Sequence, residues 1–460
     1  MTNPFPRTFV LQTFVLQTFV LAVALLAAAW FALPGPALAQ AAPPQSPPEQ
    51  LPANQVAAVS VRVESAGRET KLVFSLTACA DFQAYVLDSP ARAIVDLPEV
   101  NFLIDPAQDA AKPAARPAHH RRAHRQARPP GPAQSEIKPA LSYRFGRLSQ
   151  GKSRIIVDLS EPAAFSVSCA ARSGAGELTL QIAPTDPAAF RAAARAGAGK
   201  QAQADSIAAP LPAPSAASGQ KPLIVLDPGH GGVDNGTAGR ARDGQTTLEK
   251  NVVLDFAKAM AATLRAGGRY RVAFTREDDT FVPLQERVRI AQRLGASLFV
   301  SLHADSLRGG TEEVQGATIY TVSERASDAE AARVAEKENK ADALAGQEAQ
   351  EQAGDVNDIL FDLTRRETRS YSNIFAKYLR ERWKTAARLN KNPRRFAGFV
   401  VLKAPDVPSV LLELGYLSNA ADADELTSPK WREKAAAEAA RAVDDFFSQR
   451  MATPNTPARP

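Results

Sequence analysis

The sequence predicts two folded domains of different class: an all-β domain over residues 55–187, and an α/β domain over 221–450 with a mostly parallel sheet flanked by helices. In the first region, short β-branched and aromatic runs follow one another, punctuated by turn residues. In the second, apolar strand runs alternate with segments of helical period. Stretches rich in Pro, Ala, Gln or Arg set the boundaries: a spacer at 40–54, an insertion at 105–134 and a linker at 188–220.

The chain starts with Arg7 as its only early charge, then an apolar stretch in which TFVLQ, TFVLQ and TFVLA run in tandem from Thr8 to Ala22. With Ala37-Leu38-Ala39 at the cleavage spacing, residues 1–39 read as a secretory signal peptide, which implies export to the periplasm. An uncleaved anchor is the alternative, although Pro34 and Pro36 cut the apolar run short of a good membrane span.

VSVRV, KLVFSL, FQAYVL and RAIVDL are the first strands of the β domain, and LSYRFGRL, RIIVDL, FSVSC and ELTLQIA the second set. Arg92-Ala-Ile-Val-Asp-Leu-Pro-Glu99 is echoed by Arg154-Ile-Ile-Val-Asp-Leu-Ser-Glu161, so the domain reads as two similar halves with the insertion between them. An exported protein meets an oxidising compartment, so Cys79 and Cys169 are either a disulfide or two buried thiols.

The net charge of +6 invites a nucleic-acid reading until its location is checked. Residues 111–130 hold Lys112, Arg116, Arg121, Arg122, Arg125 and Arg128 without an acid, so the rest of the chain sums to zero. The basicity belongs to one solvated insertion, and no nucleic-acid partner is expected.

In the α/β domain the strand candidates are KPLIVLD, YRVAFTR, ASLFVSLHA, GATIYTV, GFVVLK and PSVLLEL, several apolar throughout as strands covered on both faces are. Helical period marks TLEKNVVLDFAKAMAATLRAG, FVPLQERVRIAQRLGA and SPKWREKAAAEAARAVDDFFSQR, and the last ten residues read as a frayed tail.

His230 and His303 each sit where one of these apolar runs stops, whereas His119, His120 and His124 crowd the basic insertion. Imidazoles at the ends of buried strands, with carboxylates nearby, are how a fold assembles a zinc site. Glu249 lies near a helix start that a short loop must bring close to His230, although Thr246-Thr-Leu-Glu249 also has the spacing of a capping box. Glu413 ends the run PSVLLEL, where an acid is costly unless it meets a cation or a reacting proton. The turn Asp227-Pro-Gly-His-Gly-Gly232 lacks the phosphate-binding G-x-G-x-x-G pattern. No cysteine lies in this domain and no nucleophile elbow surrounds a serine, so thiol and serine catalysis are not expected.

LDPGHGG, a Glu-Lys-Asn at a helix start, FVSLHAD and LLELGYLSN, in that order, resemble the motifs of the periplasmic zinc-dependent N-acetylmuramoyl-L-alanine amidases. The N-terminal strands resemble the AMIN domain of the same proteins, a two-sheet module implied to hold the enzyme on peptidoglycan, though the insertion departs from its usual compact form. The resemblance implies a Zn2+ ion on His230, Glu249 and His303 and a catalytic carboxylate at Glu413. Two imidazoles and one carboxylate leave such an ion a net positive charge and an open fourth position, which lowers the pKa of water from about 15.7 to about 7.

Residues 323–370 form a helical insertion rich in Ala and charge, with Val356, Ile359, Leu360 and Leu363 on one face of its second half. A solvated excursion is the plain reading. In the resembling family such an insertion folds over the zinc, with an acid in the open position until a LytM-type activator withdraws it. Glu336 and Glu338 are the candidates for that acid.

The expected function is hydrolysis of the amide between N-acetylmuramic acid and L-alanine in septal wall splitting at division. The alternatives are an inactive wall-binding or regulatory protein, and a zinc peptidase acting within the stem peptide.

Overall fold

The computed structural model describes residues 55–104, 140–172, 175–205, 221–244, 246–306, 314–347 and 359–452. The expected signal peptide, the 40–54 spacer, the basic insertion with its three histidines, Val356 and the tail from 453 lie outside them, as do the side chains of Ile359, Leu360 and Leu363. Among the described residues no helix is long and apolar enough to cross a membrane.

The first domain has nine strands: β1 (Val56–Ala66), β2 (Glu69–Leu76), β3 (Gln83–Leu87), β4 (Arg92–Pro98), β5 (Val100–Phe102), β6 (Ala140–Ser149), β7 (Lys152–Leu159), β8 (Ala163–Arg172) and β9 (Ala175–Pro184). They form two sheets, ordered β5-β1-β2-β9-β8 and β3-β4-β7-β6. Alternate residues of each, such as Leu72, Phe74, Leu178 and Leu180 from one and Ala93, Val95 and Val157 from the other, share one apolar core. The echoed segments are β4 and β7, and they pair antiparallel with each other. Ile94 faces Ile156 at the centre, Arg92 lies opposite Asp158, and Asp96 opposite Arg154. Cys79 and Cys169 form a disulfide, with Cα atoms 5.9 Å apart.

The expected linker at 188–220 begins with a helix, α1 (Pro187–Asp205). Its Ala-rich composition, which reads as low complexity, also favours helix. Asp186 Oδ1 accepts from the amides of Ala188 and Ala189 at 2.9 Å, and Phe190 and Ala194 are buried against the β core.

The second domain carries β10 (Leu223–Pro228), a two-stranded ribbon of β11 (Ala238–Arg240) and β12 (Thr246–Leu248), α2 (Glu249–Ala266), β13 (Arg271–Phe274), α3 (Leu284–Arg293), β14 (Leu298–His303) and β15 (Ala317–Val322). There follow α4 (Ala329–Glu338), α5 (Ala341–Leu344), α6 (Ile359–Trp383), β16 (Leu389–Ala397), β17 (Ser409–Glu413), α7 (Ala420–Thr427) and α8 (Pro429–Ala452). The main sheet runs β13-β10-β14-β17-β15-β16. It is parallel except at one junction, where β15 pairs antiparallel with β17, so the sheet is mixed. One face packs on α2, α6 and α8 and the other on α3 and α4, which is why its central strands are apolar on both sides.

Two strand assignments in this sheet differ from the sequence expectation. GFVVLK is not a strand: Val400–Leu402 form a single 3-10 turn that buries Val401 and Leu402. The sixth strand is instead β16, whose text LNKNPRRFA is charged and contains Pro393, as an edge strand tolerates.

Candidate metal centre

Chain order explains where the site lies. From β10 the chain moves outward to β13 and then returns to the other side of β10 as β14, so a crevice opens beyond the C-terminal ends of β10 and β14. His303 ends β14, His230 follows β10 by two residues, and Glu413 ends β17 directly beside His303 in register.

Each side chain is aimed by its surroundings. His230 has a φ of 60°, which is rare outside glycine, and its backbone is gripped from below. Arg287 donates to the carbonyls of Pro228 and His230 at 2.9 and 2.8 Å, and Arg276 to those of Pro228 and Gly229 at 2.9 and 2.8 Å. Arg287 is itself seated on Asp227, which also accepts from Thr275 and Ser301. Burial alone would raise the Asp227 carboxyl, but Arg287 and the two hydroxyls hold it below its ordinary value. Gly229 must be glycine, because a Cβ there would lie 2.4 Å from the His303 ring.

His230 Nδ1–H donates to Asp234 Oδ2 at 2.8 Å, which leaves Nε2 to face the crevice. Glu249 is the first residue of α2, and the helix has no side-chain cap. The Thr246 to Glu249 capping box is therefore not formed, since Thr246–Leu248 are drawn into the ribbon strand β12. Glu249 Oε2 instead accepts from the Thr237 amide at 2.9 Å and Oε1 from the Ala304 amide at 2.8 Å.

His230, Glu249 and His303 offer ligand atoms that all lie within 4.8 Å of one another, all three residues buried. His230 Nε2 and His303 Nδ1 lie 3.1 and 3.3 Å from Glu249 Oε1, yet neither nitrogen makes a hydrogen bond. Buried polar atoms without partners are rare, and two ring nitrogens converging on a carboxylate oxygen fit a metal ion. The charges agree. Burial would lower the His230 imidazole, but Asp234, Glu249 and Glu338 outweigh it and hold it well above its ordinary value. His303 is held up to about 10, with Glu338 the largest influence opposing burial. So many acids around two imidazoles make a pocket that attracts a cation.

Glu413 is 0% exposed, and Oε2 accepts from the Asp305 amide at 3.0 Å while Oε1 has no hydrogen-bond partner. Burial pushes its carboxyl well above the ordinary range, with His303 opposing and Asp305 adding to the rise. All four residues singled out in the sequence thus meet at one end of the sheet.

Of the two candidate acids on α4, only Glu338 reaches the crevice. Its Oε2 lies 3.4 Å from His230 Nε2 and 3.2 Å from His303 Nδ1, whereas Glu336 points to solvent and pairs with Lys340 at 2.6 Å. Lys337 donates to Thr237 Oγ1 at 3.0 Å and pairs with Asp305. Asp234, Thr237, Arg276, Arg287 and Lys337 escaped the sequence reading. For Asp234 a signal existed, an acid four residues after His230; for the arginines none did, because their role depends on which carbonyls the fold brings beneath them.

A family model described as N-acetylmuramoyl-L-alanine amidase matches residues 224–445. The chain is 38% identical over 231 residues to the N-acetylmuramoyl-L-alanine amidase AmiA of Escherichia coli (strain K12), a match covering 50% of this chain and 78% of that one. It is 28% identical over 405 residues to the N-acetylmuramoyl-L-alanine amidase AmiC of Escherichia coli O6:H1, covering 85% and 89%. The solved catalytic domain of the amidase CwlV from Bacillus (Paenibacillus) polymyxa is 26% identical, with a TM-score of 0.35, over 49% of this chain and 98% of that one. Because the residues meeting at the sheet edge fall within the matched segment, and AmiA is matched over most of its length, the chain is an enzyme that belongs to the N-acetylmuramoyl-L-alanine amidase family.

Proposed function

We propose that this chain is a zinc-dependent amidase that cuts peptidoglycan between the lactyl group of N-acetylmuramic acid and L-alanine, and that Glu338 closes its site at rest. The observation that carries this reading is the buried His230, Glu249 and His303 group with its two unpartnered ring nitrogens, beside a Glu413 carboxyl that is itself half unpartnered. His230, Glu249 and His303 would hold the ion, whose chemistry when bound is that of a Lewis acid toward water and an amide carbonyl.

Glu413 would move the proton. The Asp305 amide engages Oε2, so Oε1 is left to accept a proton from the attacking water. As the water oxygen bonds to the lactyl carbonyl carbon and the C–N bond breaks, the same carboxyl returns that proton to the nitrogen of L-alanine. The products are a lactyl carboxylate and a stem peptide with a free amine. A carboxyl whose affinity for protons is raised by burial suits both halves of this transfer.

Glu338 reaches toward the same two ring nitrogens, so it occupies the direction from which a substrate carbonyl would approach. In this reading a LytM-type activator draws α4 away, the two-sheet β domain acts as an AMIN-like module on peptidoglycan, and the enzyme works in the periplasm on septal wall. The test is mass spectrometry of sacculi digested by zinc-loaded wild type and Glu338→Ala. Intact stem peptides with a free L-alanine amine are expected. Shortened stems would identify a peptidase, and no products from either protein would leave a wall-binding role.

A further inference from the structure

The β4–β7 echo acquires a use when its outer face is followed. One face of the β3-β4-β7-β6 sheet fills the β core, and the other carries Tyr85, Leu87, Ile94 and Ile156 against Phe281 and Ala345 of the amidase domain. Antiparallel pairing about Ile94 and Ile156 sets Arg92 and Arg154 on that same outer face. Both guanidiniums are buried, at 2% and 0% exposed.

They go to the end of the helical segment that bears Glu338. Arg92 donates to the carbonyl of Ala343, Arg144 to that of Leu344 at 2.7 Å, and Arg154 to those of Ala345 and Gly346 at 3.1 and 3.2 Å. Four consecutive carbonyls, of the last two residues of α5 and the two that follow it, are met by three cations from another domain, where a helix C-terminus favours positive charge. Acids on the same sheet hold the guanidiniums in place: Asp96 takes Arg154 at 2.5 and 2.9 Å, and Asp158 takes Arg144 at 2.7 and 3.1 Å. Gly346, with a φ of 74°, lets the chain turn against this face, where a Cβ would come 3.1 Å from Ile94.

We infer that the arginine face of the β module is a docking surface for residues 343–346, and that through it the module holds the Glu338 helix over the metal centre. The inference rests on the blocking role proposed for Glu338, which lies five residues before the first gripped carbonyl. A partner that opens the site must then compete with these arginines for the α5 carbonyls or pull the β module off the amidase domain. The wall-binding module and the catalytic centre are in this way coupled through a single turn of helix.

Hydrogen exchange read by mass spectrometry on the full, zinc-loaded chain tests this from both sides of the contact. Arg144→Ala removes a donor, and Gly346→Val strains the turn that offers the carbonyls. In either variant, amides of 331–347 are expected to exchange at least ~10-fold faster while those of β4 and β7 keep wild-type protection. Wild-type protection of 331–347 in both variants would overturn the docking. Glu338→Ala, in the same assay, separates the two ideas: it is expected to raise wall hydrolysis with 341–347 still protected. If it fails to raise hydrolysis while Arg144→Ala still loosens 331–347, the docking stands and the blocking role falls.

Discussion

The two halves of the metal centre are held by different kinds of contact. His230, Glu249, His303 and Glu413 sit at strand ends or at the first residue of a helix, and the backbone around them is tied by buried partners: Arg287 on His230 O, the Ala304 amide on Glu249, the Asp305 amide on Glu413. Glu338 arrives from the last residue of a ten-residue helix. That helix is tied down at its edges, by Arg395 on Asp328 and Glu330, by Asn339 on Gly398 and Val400, and by the half-exposed Lys337 on Asp305. A half built into strand ends cannot move without unpairing the sheet, whereas α4 buries Ala331, Val334 and Ala335 against the sheet face and can part from it without unpairing a strand. In the proposed reading, the first half carries the chemistry and the second is the cover.

Removing a group from the fixed half has the largest expected effect. Glu249→Gln or His303→Ala should abolish zinc retention and bring wall hydrolysis to background in a folded protein, read by metal analysis beside circular dichroism. Retained stoichiometric zinc would break the ligand assignment. Glu413→Gln should keep zinc and lower turnover by about 10²–10⁴-fold, the usual range for a lost general acid and base. Loss of zinc in that variant would move Glu413 into the ligand set. Arg287→Met strands a buried Asp227 and should cost about 3–5 kcal/mol in denaturant unfolding; a change below about 1 kcal/mol would show that the loop holds its shape without the arginine. On the lifted half the effects shrink. Lys337→Met loses two ion pairs, to Asp305 and Glu338, each worth about 1 kcal/mol or less on this partly exposed side chain, so basal hydrolysis should rise by no more than about 30-fold. A fall would place Lys337 in the catalytic half.

This contrast also separates what was legible in the sequence from what was not. LIVLD, SLFVSLH and PSVLLEL are readable because a strand covered on both faces is apolar at every position, and the polar residue that ends it is conspicuous. Glu249 was readable only in part, because its capping-box spacing is overruled by the pairing of Thr246–Leu248 into a ribbon. Whether Glu336 or Glu338 faces the crevice depends on which side of α4 buries Ala331, Val334 and Ala335, and an alanine-rich, charge-rich helix carries little of that in its pattern. β16 hid behind the charges of an edge strand, and α1 behind a composition that serves linkers and helices equally. The paired Arg92 and Arg154 were visible as a repeat, but their partners lie some 190 to 250 residues away, as the contacts to Ala343 and Ala345 show.

The most direct measurement is the rate at which zinc-loaded Glu338→Ala releases soluble fragments from purified, labelled peptidoglycan, compared with wild type at equal zinc content. If α4 is a cover that opens in only a minor fraction of molecules, the rate rises at least ~10-fold without any activating partner. A rate equal to wild type, or lower, would contradict the division of the site into a fixed catalytic half and a removable cover.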